Sequence, residues 1–106
     1  MLTEKEKPII LPFMSVIYSS LEKGNNYFRF YTLNEDIFIV KYLIDAESDN
    51  GLDLEDENYE EFYEFYFEIV KVEKKSKDSK IRKGKWLEIN YHNLPTKWEI
   101  VENVNN

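Results

Sequence analysis

The apolar residues change period near residue 24, and that change commits the chain to a mixed fold. Before it, Phe13, Ile17 and Leu21 recur every fourth residue, with Met14 and Tyr18 widening the stripe, as the buried face of a helix requires. Pro12 suits a first helical turn and Gly24 behind Lys23 is a stop signal, so the pattern predicts a helix over 12–23. After it, residues 27–33 and 37–44 are dense in aromatic and β-branched types and are split by Asn34-Glu35-Asp36, which reads as a hairpin. Residues 86–91 alternate, Leu87, Ile89 and Tyr91 on one side, Trp86, Glu88 and Asn90 on the other, and 97–101 add a last strand. The expectation is a single α+β domain: an N-terminal helix packed on an antiparallel sheet of about four to five strands, with a frayed tail from 102.

One stretch reads two ways. On a helix at about 100° per residue, Glu57, Glu60, Glu61, Glu64 and Glu68 fall within an arc of roughly 100°, opposite Tyr59, Phe62, Tyr63, Tyr66 and Val70. Asn58 and Glu61 have capping-box spacing. From Phe65 onward, however, the aromatic and β-branched density favours a strand. The resulting expectation is a short helix over 56–65 running into a strand over 66–73, then a polar loop over 74–85. Asn50-Gly51 marks a further turn.

A chain of 106 residues can bury roughly two thirds of its unfolded surface and folds without staples. Seventeen aromatic residues against the single Ala46 build the core from a few bulky pieces. The absence of Cys excludes a disulfide scaffold and any thiolate zinc site, and it fits a reducing compartment. No apolar run approaches the roughly 18 residues of a membrane span, and Pro8, Pro12, Glu4 and Glu6 disqualify the N-terminus as a signal peptide. A cytoplasmic protein without membrane contact is expected.

Nothing in the sequence assembles an active site. His92 is the only His, it sits in an Asn- and Pro-containing turn, and no glycine-framed nucleophile or phosphate loop exists. Asp45, Glu47 and Asp49 begin a calcium-loop spacing, but Gly51 comes one residue late and Asp56 stands where a bidentate Glu belongs. Neither an enzyme, a metal site nor a cofactor is expected.

The charges are sorted into blocks, and a field of one sign is a statement about partners. Residues 45–68 hold eleven acids and no base; residues 71–85 hold eight bases against Glu73 and Asp78; the whole chain carries −7. Lys74 to Lys85, with Trp86 as a stacking platform, is the only candidate for nucleic-acid binding, and the net negative charge opposes it. The acidic block points instead to a basic protein partner: a nuclease, a toxin or a nucleic-acid-binding protein. On the expected helix, five carboxylates over about 17 Å approximate the charge density of a nucleic-acid strand. The expected contact residues are Glu57, Glu60, Glu61, Glu64 and Glu68, the interleaved Tyr59 and Tyr63, and Trp86 on the outer side of its strand. The function these features imply is inhibition by occupancy, of the toxin-immunity or anti-defence kind. The alternative is a non-enzymatic structural or adaptor module.

Overall fold

The computed structural model describes residues 2–102. One helix, α1 (Lys7–Glu22), is followed by five strands: β1 (Tyr27–Tyr31), β2 (Ile37–Asp49), β3 (Glu61–Lys74), β4 (Trp86–Ile89) and β5 (Lys97–Ile100). All pairings are antiparallel, in the order β4-β3-β2-β1-β5. The expected α+β architecture is the one observed, and the expected tail beyond Glu102 lies outside the described residues.

The helix begins earlier than Pro12. A turn over residues 4–6 leads into it, closed by reciprocal bonds of capping-box type: Glu6 N–H donates to Thr3 Oγ1 (3.3 Å) and Thr3 N–H to the Glu6 carboxylate (2.9 Å). Pro8 sits in the first turn, but Pro12 is internal and withholds the N–H that Pro8 C=O would accept. Burial outweighs that loss. Ile10, Phe13 and Ile17 are fully buried, and the Phe13 ring packs edge-on against Phe65 (5.5 Å), Phe67 (6.2 Å) and Trp98 (5.1 Å). Gly24, at φ 84°, ends the helix as expected.

The helix covers one face of the sheet. Phe28 and Phe30 of β1, Phe38 and Val40 of β2, and Phe65, Phe67 and Ile69 of β3 are buried on that side. On the outer face Arg29 bridges Glu73 (2.5 Å) and Glu99 (3.5 Å) across the sheet.

The expected helix over 56–65 is absent. Residues 50–60 form an irregular connection and β3 starts at Glu61, so Tyr63, Phe65 and Phe67 alternate toward the helix while Glu64, Tyr66 and Glu68 alternate away. A strand wins because β2 itself runs on to Asp49 and offers β3 a ladder along its whole length. The ladder carries three register shifts, at Glu73, Val70 and Leu43, each adding local twist.

Candidate functional site

Consecutive turns of an antiparallel hairpin lie at opposite ends of its strands, and here they carry opposite charge. The connection between β2 and β3, with its flanks, holds Glu47, Asp49, Asp53, Glu55, Asp56, Glu57, Glu60 and Glu61 and no base. The connection between β3 and β4 holds the Lys-rich block. The 14 residues of β3 separate them by about 43 Å at ~3.3 Å per residue, in a body whose longest dimension is 47 Å. That distance is about four Debye lengths at 0.1 M salt, so a partner at one end is shielded from the other.

The acidic end has a structured interior side. A cavity of about 270 Å³ is lined by Thr3, Glu47, Tyr59, Glu61 and Phe62. Burial, then the nearby Glu61 and Asp49 carboxylates, raise the Tyr59 hydroxyl above its ordinary pKa. Asp53, Glu55, Asp56 and Glu57 on the connection are exposed.

The carboxylates expected on one helical face are divided among different tasks. Glu57 and Glu61 face solvent. Glu60 is a hub: it accepts from the Tyr91 hydroxyl, His92 Nε2 (2.5 Å) and Lys5 Nζ (3.1 Å). Those bonds, Tyr91 first, hold its carboxyl down at about 2 despite the opposing effect of burial. Glu64 is buried, accepting from the Tyr66 hydroxyl (2.9 Å) and Asn90 Nδ2 (3.0 Å), so it does not point to solvent as a helical register would place it. Glu68 is half-buried on the outer face, paired across the strands with Lys41 and with Trp86. Trp86, 64% exposed, lies on that outer face and is not brought together with the acidic end. Tyr63 points to the helix side.

The Lys-rich segment, expected as a loose polar loop, is anchored. Buried Asp36 accepts from Ser76 N–H (2.6 Å) and the Ser79 hydroxyl (2.7 Å). Burial opposes ionisation there, yet these bonds and Lys75 keep the Asp36 carboxyl below its usual range.

A second cluster escaped the sequence reading. Asp45, read there as the first member of the acidic block and of a calcium-loop spacing that fails, accepts from the hydroxyls of Tyr42 (2.5 Å) and Tyr63 (2.5 Å), and Tyr18 of α1 lies beside them. Burial first, and then these bonds to neighbouring groups, push the Tyr18 and Tyr42 hydroxyls far up, so both stay protonated as donors. Residues three apart on a regular strand face opposite sides. Tyr42 and Asp45 share a side because Leu43 is an extra residue: Tyr42 pairs with Phe67 and Ile44 with Tyr66. The signal available in the sequence was the spacing Tyr-x-x-Asp, which occurs once in the chain.

One helix on an open antiparallel sheet, with opposite charge at its two ends, defines a small α+β protein. Residues 14–103 match the family model of the cognate immunity protein YxxD, and the chain belongs to that family. A cognate immunity protein implies a partner toxin. No curated protein and no solved structure matches the chain.

Proposed function

We propose that this protein neutralises its toxin by occupancy, docking a basic surface of the toxin on the acidic end formed by the β2–β3 connection. The observation that carries this reading is the spatial separation of the charge: eight carboxylates at one end of a 47 Å body, of which Glu60 is paired with Lys5 and His92, and the Lys-rich block at the other. The footprint we assign comprises Glu57, Tyr59 and Glu61 with Asp53, Glu55, Glu47 and Asp49; Glu60, tied to Lys5, Tyr91 and His92, holds its shape. Glu64 and Glu68 fall outside it. On the helix side of the β2–β3 ladder, Glu47, Asp49 and its cross-strand partner Glu61 place three carboxylates within about 6.6 Å of strand, comparable to three successive phosphates of one nucleic-acid strand. A phosphate-binding groove of a nuclease toxin is therefore the surface this end fits best. Inhibition of this kind needs no chemistry of its own and takes place in the cytoplasm, where the producing cell meets its own toxin.

Electrostatic steering acts mainly on association. Reversing Asp53, Glu55 and Glu57 to Lys, all exposed and outside the ladder, is expected to slow association with the cognate toxin by at least tenfold and to flatten its salt dependence. Neutralising Lys77, Lys80 and Lys83 to Gln is expected to change little. Stopped-flow rates at low and high salt measure both. An unchanged on-rate for the acidic triple variant refutes the proposal.

A further inference from the structure

We propose that Tyr42 and Asp45 are positioning residues of the toxin-binding surface: together with Tyr63 they lock the Leu43 bulge and so decide which side of the sheet Glu47 and Asp49 face. The inference rests on the acidic-end reading above. A slip of one residue in strand register moves every following side chain to the other face. With the bulge, Asp45, Glu47 and Asp49 pair with Phe65, Tyr63 and Glu61 on the helix side, where Glu47 and Glu61 line the cavity. Without it, Glu47 would pair with Phe62 and turn to the outer face, away from Tyr59 and Glu61.

The bulged register needs a lock because apolar burial does not specify it. Beyond Ile44, β2 contributes Asp45, Ala46, Glu47, Ser48 and Asp49, a segment with no apolar face to hide. The one large apolar residue past the bulge favours the slip: Ile44 stands 58% exposed on the outer face, and in the unbulged register it would pair with Phe65 on the core side. What opposes that pull is the pair of hydroxyl bonds to Asp45, which geometry permits only when the extra residue puts Tyr42 and Asp45 on one side. Both carboxylate oxygens are occupied within the chain. Asp45 thus shapes the surface and the toxin meets its neighbours.

The test is a loss and a rescue. Tyr42→Phe removes one hydroxyl and leaves the core ring contact with Phe67, so the domain stays folded. Cross-strand nuclear Overhauser contacts of Glu47 are expected to move from Tyr63 toward Phe62, and affinity for the cognate toxin is expected to fall at least tenfold. Adding Ile44→Thr, which removes the apolar pull toward the slipped register, is expected to restore both the contacts and the affinity to within about threefold. Glu47 remaining opposite Tyr63 in Tyr42→Phe, or an affinity loss that Ile44→Thr does not rescue, overturns the lock. If instead the contacts shift while the affinity holds, the positioning role is overturned too, because the register then has no bearing on docking. A Glu47→Gln/Glu61→Gln variant in the native register separates the two readings: full affinity there counts against the acidic end, while the contact shift in Tyr42→Phe still decides the register.

Discussion

Replacing Glu6 with Ala is expected to cost more stability than any change on the exposed acidic connection. Its carboxylate is wholly buried and serves three donors: Thr3 N–H (2.9 Å), Thr3 Oγ1 (3.0 Å) and, across the fold, Tyr63 N–H (2.8 Å). The last of these explains the burial. β4 pairs with residues 65–68 of β3, so among the described residues the edge of β3 before Phe65 has no strand beside it, and Glu6 closes that edge at Tyr63. With Ala at position 6, Thr3 can turn to water with the N-terminal segment, whereas Tyr63 N–H stays inside the ladder without an acceptor. Losing a hydrogen bond to a charged group and leaving a buried donor unpaired costs about 3 kcal/mol. At an unfolding entropy of about 0.2 kcal/mol/K for a chain of this size, the melting temperature should fall by about 15 °C. Urea denaturation measures the loss directly, with an unchanged slope as evidence that the denatured state is unaltered. Glu6→Gln, which keeps an acceptor for Tyr63 but sets an amide against Thr3, should fall between the two. A loss below about 1 kcal/mol for Glu6→Ala would show that water reaches Tyr63 N–H and would refute the role of Glu6 as an edge cap.

Two further outcomes follow from the site. Because Glu60 is held at about 2 in the fold against an ordinary 4.5, the native state binds fewer protons than the unfolded one; the stability it adds is complete above pH about 4.5 and disappears as pH falls toward 2. Urea midpoints from pH 6 to 2.5 should therefore drop steeply in the wild type and less so in Glu60→Gln, and parallel curves would disprove the linkage. Trp86→Ala should leave the melting temperature nearly unchanged, since the side chain is 64% exposed, and should leave the association rate with the toxin unchanged as well. A tenfold loss of affinity would extend the footprint across the outer face and contradict its confinement to the acidic end.

Local signals were sufficient where local packing decides. The Phe13, Ile17 and Leu21 stripe, the Gly24 stop and the strands on either side of Asn34 are legible because each buries its own apolar set on one face. They failed at residues 56–65, where the Glu spacing that suits a helical arc also suits a strand whose outward positions are 64 and 68. What settles the matter is pairing with 45–49, a polar segment that has no strand signature of its own. The same limitation hid the tyrosine cluster. Tyr18, Tyr42, Asp45 and Tyr63 lie on three elements, and the bulge that aligns two of them is a property of the pairing, which neither strand displays alone.

The charge blocks, by contrast, were legible as composition but not as geometry. On a helix over 56–65 followed by a strand over 66–73, only about 26 Å of strand would separate the acidic stripe from the basic loop. Extended as β3, the same residues carry the chain from one end of the molecule to the other before the sign changes. Sequence order then becomes spatial order, and each block acts alone beyond a Debye length or two. Under the proposed docking, a toxin arriving at the acidic end meets a field offset there by Lys5 and His92 at Glu60, and the anchoring of the basic segment to Asp36 keeps that segment from folding back to neutralise it. Low net charge at the acidic end would have required only a shorter strand; the length of the β2–β3 ladder is what makes a chain of net −7 behave, at one end, as a far more acidic protein.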